Sequence, residues 1–240
     1  MGAADNSIAG DYQFRAASAD APSVQRFWHH AKILAIDRYL PPAAGDSILD
    51  VGCGSGVVSS HLAAPAAHVV GLDGNRTAVD FASRTFRRPN LRFVHGAVDD
   101  LPTQPGSVDK IYCLEVIEHL EAPVTSRMLD AFRTALKPGG RVFLTTPNVR
   151  SAWPVIEWII DRSGRAPRMA GEQHVEMYSR GKLTRLCERH GFAIDAAPSM
   201  CFLAPWLAPI GWNLAKACFD LEAALRLPIG SILILVLRRP

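Results

Sequence analysis

The sequence predicts a doubly wound α/β fold, a mainly parallel sheet with helices on both faces. Three observations carry that prediction. Apolar runs rich in β-branched residues alternate with helical patterns along the 240 residues. The run Ser47-Ile48-Leu49-Asp50-Val51 passes directly into Gly52-Cys53-Gly54-Ser55-Gly56 and then a helical stretch, the strand–glycine loop–helix turn with which such folds hold nucleotides. Hydrophobic residues make up 48% of the chain, enough to build the core of one large domain or of a domain with a cap.

In order, strands are expected near 47–51, 68–72, 91–95, 108–114, 141–146, 192–196 and 231–238, seven in all. Helical stretches at 57–64, 76–86, 124–136 and 180–190 separate most of them. Pro138-Gly139-Gly140 is read as the stop of the third of these helices and the turn into the fifth strand. Residues 1–45 are expected to form an N-terminal helical cap with a helix near 24–39, ahead of a main domain at 46–240. Two excursions, 148–178 and 198–230, interrupt that domain, and long excursions in compact domains usually carry function.

Composition narrows the class. The net charge is +3 with no long basic run, so a nucleic-acid partner is disfavoured. Five cysteines, odd in number and without a CxxC pair, point to a reduced, cytoplasmic protein without structural zinc. The first 30 residues hold no apolar signal-peptide core, and Met1-Gly2 lacks the Ser or Thr of a myristoylation site because Asn6 stands there. Ile229–Leu237 is very apolar but too short to span a bilayer, so no transmembrane segment is expected.

The glycine loop sets the ligand class. Its spacing is G-x-G-x-G, one residue tighter than the dinucleotide fingerprint, and Asp50 near the strand end would repel a pyrophosphate while suiting a cationic ligand. Asp73 ends the second strand, where a carboxylate can accept both ribose hydroxyls; the competing reading is a helix N-cap for 76–86. Farther on, Glu115, Glu118 and His119 stand at i, i+3 and i+4. On a helical turn they would share a face, and two carboxylates and an imidazole so close call for a cation such as Mg²⁺, Mn²⁺ or Zn²⁺.

Ile48-Leu49-Asp50-Val51-Gly52-Cys53-Gly54-Ser55-Gly56 resembles motif I of the class I S-adenosylmethionine-dependent methyltransferases, and further motifs follow in order over roughly residues 45–195. The resemblance implies a Rossmann-like seven-stranded sheet whose last strand is antiparallel. It implies S-adenosylmethionine as cofactor, with Asp50, Gly52, Gly54, Gly56 and Asp73 in its site. Gly96-Ala97-Val98-Asp99-Asp100-Leu101-Pro102 is similar to the family's adenine segment, with Ala97 in place of the usual Asp. Val98 would pack on adenine, Asp99 would meet its amine, and the Leu114 carbonyl would accept from the methionine ammonium. Thr145-Thr146-Pro147-Asn148, followed by Gln173-His174-Val175-Glu176-Met177-Tyr178-Ser179, resembles two metal-using groups. These are the ubiquinone-biosynthesis O-methyltransferases and the small-RNA 3′-terminal 2′-O-methyltransferases. A divalent metal, Mg²⁺ or another, would then sit on Glu115, Glu118, His119 and His174. The same strings occur in methyltransferases without metal, where Glu118, His119 and His174 are the catalytic candidates and an imidazole is the base.

The expected reaction is methyl transfer to a hydroxyl of a small apolar or aromatic acceptor. An RNA acceptor, N- or C-methylation, and a catalytically silent cofactor-binding module stay open. Walls for the acceptor are sought in Tyr12–Arg15, Trp28, His29, Trp153, Trp158, Trp206 and Trp212. Val24, Phe27, Ala31 and Leu34 read as core, and Ile210, Leu214, Cys218, Leu221 and Leu225 as a stripe packing on the protein's own domain. A membrane or homodimer contact through 198–230 also stays open.

Overall fold

The structure, a computed structural model, describes residues 9–65, 67–152, 162 and 174–240. Helices α1 (Tyr12–Ala17) and α2 (Ser23–Tyr39) lead into β1 (Ser47–Val51), α3 (Val57–Leu62), β2 (His68–Asp73), α4 (Arg76–Thr85), β3 (Leu91–His95) and β4 (Val108–Leu114). A 3-10 turn at Ile117–His119 precedes α5 (Ala122–Ala135) and β5 (Leu136–Pro147). Then come α6 (Arg180–Arg189), β6 (Ala193–Ala196), β7 (Ser199–Met200), α7 (Ala204–Leu207), α8 (Trp212–Leu225) and β8 (Ile232–Arg238).

The strands form one sheet in the order β3-β2-β1-β4-β5-β8-β6, with β7 pairing β8 beside β6. Pairs among β1 to β5 are parallel, and β8 runs antiparallel to β5, β6 and β7. The expected parallel sheet with an antiparallel last strand is therefore present. The extra strand, β7, is two residues long and too short to leave a periodic signal. Strand order reverses at β1 and β4, so their C-terminal ends border the crevice where such sheets bind ligands.

Alternation along the strands builds a core on each face of the sheet. Ile48, Tyr112, Phe143, Ile234 and Val236 point to one side with Phe27, Ala31, Leu62 and Phe219. Leu49, Val51, Ile111, Cys113, Val142, Leu144 and Leu235 point to the other with Met128, Leu129, Phe132, Leu183 and Cys187. Helix α2 belongs to the first core: Phe27, Ala31, Ala35 and Ile36 are fully buried, while Val24 and Leu34 are half-buried. The Tyr112 hydroxyl donates to the Leu40 carbonyl at 2.6 Å and ties the end of α2 to β4.

Two local expectations are corrected. Pro138-Gly139-Gly140 does not form a loop. Leu136 already pairs with Val108, the register then shifts, and Gly139 takes a φ of 77° inside an irregular β5. The second concerns α8, whose stripe was expected to pack inward. Ile210, Leu214, Leu221 and Leu225 instead face solvent at 76, 48, 58 and 60% exposure, while Ala215, Phe219, Glu222 and Ala223 turn in. The reason is polar: the Glu222 carboxylate accepts the amides of Phe202, Leu203 and Ala204 at 3.1, 2.6 and 2.9 Å, satisfying the start of α7. Trp212 completes the inward face by meeting the Phe27 ring edge-on at 5.1 Å.

Candidate active site

The glycine loop follows β1 and is pinned from β2. Gly52 and Cys53 donate to the Leu72 carbonyl at 2.8 and 3.1 Å, and Gly54 donates to Asp73 Oδ2 at 2.7 Å. Gly52 has φ 73°, and a Cβ there would lie 2.2 Å from Val116 Cγ2. Only glycine fits that backbone and that space. A Cβ on Gly54 would strike Gln13 Oε1, which accepts the Ser55 amide at 3.0 Å, so α1 lies directly over the loop.

The loop's acids divide in role. Asp73 accepts from Gly54 through Oδ2 and from Asn75 through Oδ1, each at 2.7 Å. Burial raises its pKa and these amide bonds counter the rise. The N-cap of α4 is Asn75, whose side chain accepts from Thr77 and Ala78, so the capping role considered for Asp73 falls to its neighbour. Asp50 does not present its charge to a ligand. It is 2% exposed, accepts from Ser59 Oγ of α3, and is pushed up to about 7, chiefly by burial. It joins α3 to β1 beneath the loop.

Val98 packs on the second core with Leu101 and Val116. The Asp99 carboxylate is held by Arg127 Nε at 2.7 Å. Leu114 closes β4 opposite Thr145, 8% exposed.

The segment after β4 departs from the expected helical turn. Glu115 has φ 55°, a left-handed conformation, and the 3-10 turn begins only at Ile117. Glu115 is thereby separated from Glu118 and His119. Its Oε1 accepts from Thr145 Oγ1 at 2.7 Å, and it is not in the cluster formed by its neighbours. That cluster is Glu118, His119 and His174, with one ligand atom from each lying within 4.8 Å of the others. His174 arrives because the Glu118 carbonyl accepts the amides of Val175 and Glu176 at 2.8 and 3.0 Å. Val149 further binds the Tyr178 carbonyl at 3.1 Å, so the chain beyond β5 and the 174–178 segment run side by side. The two imidazoles stand 5.2 Å apart between centroids, and His119 Nε2 lies 3.9 Å from Glu118 Oε1.

Glu118 is 1% exposed and accepts from Thr146 Oγ1 at 2.9 Å. Its pKa lies well above the carboxylate range, first from burial and then from the Glu115 charge; the Thr146 bond and the Lys32 charge oppose the rise. One carboxylate with two imidazoles is a donor set that suits a divalent cation of the Mn²⁺ to Zn²⁺ kind. A cation there would offset the cost of ionising Glu118, so the residues fit the implied metal.

Sequence reasoning missed Lys32. It is 8% exposed, its ammonium lies 4.6 Å over the Trp28 ring, and among the described residues no carboxylate forms an ion pair with it. Its charge reaches Glu118 and Cys201. The available signal was a lysine set between the buried Ala31 and Ala35 on an otherwise apolar helix face. Beside it, His29 is lowered to about 3, mainly by burial. Gln13 was sought among the acceptor walls and instead lies on the glycine loop. Trp212 packs on α2 and Trp206 is exposed; Trp153 and Trp158 lie outside the described residues.

A family model described as a methyltransferase domain matches residues 24–197. The chain belongs to this methyltransferase family. The ubiquinone biosynthesis O-methyltransferase of Albidiferax ferrireducens is 38% identical over 114 residues, 46% of this chain and 44% of that protein. The enzyme of the same name from Xylella fastidiosa is 36% identical over 117 residues, 45% and 44% of the two chains. The match thus spans less than half the length of these curated relatives. A methyltransferase structure from Mesorhizobium loti, described as S-adenosylmethionine dependent, superposes with a TM-score of 0.64 at 22% identity, covering 87% of this chain and 98% of that one, a likeness of fold. Among the described residues no helix is long and apolar enough to cross a membrane.

Proposed function

We propose that this methyltransferase moves a methyl group from S-adenosylmethionine to a hydroxyl oxygen of a small apolar or aromatic acceptor. In this reading the Glu118/His119/His174 cluster activates the hydroxyl and holds a divalent cation. The observation that carries it is the convergence of three donor side chains beside the β4 end of the cofactor crevice. The matches to ubiquinone biosynthesis O-methyltransferases support oxygen as the acceptor atom.

The chain's residues then divide the work. Asp73 receives the ribose hydroxyls, Val98 packs on adenine and Asp99 meets its amine, while the Leu114 carbonyl takes the methionine ammonium. Lys32 is the natural partner of the methionine carboxylate, being a buried ammonium with which no carboxylate among the described residues forms an ion pair. Glu118, His119 and His174 would hold the cation, which when bound would supply Lewis-acid polarisation of the acceptor hydroxyl. As the oxygen–carbon bond forms and the sulfur–carbon bond breaks, the hydroxyl proton must leave. Without a cation, His119 Nε2, which lies 3.9 Å from Glu118 Oε1, would take it. Alignment of oxygen, methyl carbon and sulfur supplies much of the rest of the acceleration.

Calorimetric titration of chelator-treated protein with S-adenosylhomocysteine and with Mg²⁺, Mn²⁺ or Zn²⁺ tests this reading. Cofactor binding together with a cation heat that Glu118→Gln and His174→Ala remove is the expected result. Cofactor binding with no cation heat, with or without catechol present, would discard the metal-assisted route and leave the imidazole base. Failure to bind S-adenosylhomocysteine would discard the whole reading. Lys32→Met should weaken S-adenosylhomocysteine by roughly tenfold or more, the loss of one hydrogen bond between charged groups.

A further inference from the structure

The β3 edge of the sheet carries an unusual concentration of charge. Residues 81–98 contain four arginines and no Asp or Glu, in a chain whose net charge is only +3. Arg84 lies in the last turn of α4, Arg87 and Arg88 follow the helix, and Arg92 stands on β3; all four are exposed. Elsewhere Arg15, Arg38, Arg76, Arg127, Arg141 and Arg238 each pair with an aspartate. Among the described residues no carboxylate forms an ion pair with any of the four.

Three of them, Arg87, Arg88 and Arg92, line one cleft of about 560 Å³, with Phe86, Pro89 and Phe93 as its apolar wall. The backbone that carries them is held firmly. The Arg88 carbonyl accepts the Leu91 amide at 3.2 Å, and between them Asn90 Nδ2 donates to the Ala63 and Ala67 carbonyls at 2.8 and 2.7 Å. Arg92 is paired in register with Val70 of β2. The Phe93 ring packs on Gly56 and Gly71, where an added Cβ would come within 2.8 and 2.7 Å of it. A ligand entering the cleft meets a frame that is already ordered.

Two ordinary reasons account for part of this charge. The negative C-terminal end of α4 favours Arg84 and Arg87, and a charge on an edge strand discourages pairing with another chain. Neither calls for three unpaired guanidinium groups around one concave surface, where they repel one another until an anion enters. We propose that Arg87, Arg88 and Arg92 bind the phosphate of a phosphorylated ligand, carried by a soluble molecule or by a lipid headgroup. Guanidinium forks match phosphate oxygens in pairs, and a phosphate offers more of them than a carboxylate does. A single cleft gives no track for a nucleic-acid strand. Leu91 opens β3 beside this cleft, whereas the cofactor crevice borders the C-terminal ends of β1 and β4, so the site is separate and does not depend on the proposed reaction.

Isothermal titration of the full, chelator-treated chain with inorganic pyrophosphate at low salt tests the site. A dissociation constant below about 1 mM is expected, rising with salt. The double variant Arg87→Gln/Arg92→Gln should weaken pyrophosphate at least about tenfold. Arg76→Gln removes the same charge from the other end of α4 and should change the affinity by less than about twofold. Because these arginines are exposed, the melting temperature and S-adenosylhomocysteine binding should stay as in the parent protein. Flotation with vesicles of equimolar phosphatidylcholine and phosphatidylglycerol separates the two sources. Flotation that pyrophosphate displaces and the double variant loses assigns a lipid headgroup. Pyrophosphate binding without flotation assigns a soluble ligand. Four results would overturn the proposal: no pyrophosphate binding, an undiminished affinity in the double variant, an equal loss in Arg76→Gln, or tighter binding of an oligouridylate to the same arginines.

Discussion

The two ends of the crevice are built differently. At the cofactor end, β1 runs into the glycine loop, and Leu72 and Asp73 of β2 pin that loop with backbone amides as donors. Almost everything there is local or paired in register. At the Glu118 end, Glu118 and His174 meet because one carbonyl accepts two amides from a distant segment that also runs beside the chain beyond β5. The first end is a property of a motif; the second is a property of the fold. They should therefore respond differently to substitution.

The largest effect is expected at the loop. Gly52→Val drives a side chain into Val116 in a left-handed backbone and should cost S-adenosylhomocysteine at least about 100-fold in affinity, with a lowered melting temperature. Unchanged calorimetry would break the contrast, since it would mean that the loop tolerates a Cβ. Next comes His174→Ala, which should weaken the cation by at least about 10–100-fold while leaving S-adenosylhomocysteine within about twofold. An equal loss of both would show that the two ends are one unit.

A third prediction concerns pH. Asp50 is held at about 7 in the fold against an ordinary 3.8, so folding favours its neutral form. Its stabilising contribution is complete below about 3.8 and is lost as pH rises through about 7. Urea denaturation should find Asp50→Asn gaining on the parent protein steadily between those limits, whereas a constant difference would contradict the burial. The smallest effect is Gln13→Ala. It removes one acceptor from the Ser55 amide and should weaken S-adenosylhomocysteine by roughly three- to tenfold, the worth of one hydrogen bond. No change would show that α1 merely lies over the loop.

The sheet was legible because its strands are apolar runs rich in β-branched residues, set between helical patterns. The bounds of β1, β3 and β4 agree with those read from the chain. The glycine loop and Asp73 were legible because their geometry is local. Glu115 was misplaced because a left-handed residue inside Glu115–His119 leaves no mark on spacing. Lys32 was missed because composition does not say which helical position is buried.

Helix α8 shows where the boundary lies. Its apolar stripe is plain in the sequence, and hydrophobic pattern predicts that such a stripe turns inward. The tertiary structure reversed it. Burying Glu222 satisfies three amides at the start of α7, each of which would cost about 1–3 kcal/mol if buried without a partner. By itself the sequence determined most of the strands, the glycine loop and the family, because these rest on apolar runs and on a glycine motif that are local in the chain. The tertiary structure alone decided that His174 joins Glu118 and His119, that Glu115 stands apart, and which face of α8 meets solvent. Those outcomes depend on hydrogen bonds between segments far apart in the chain, and no local pattern records them.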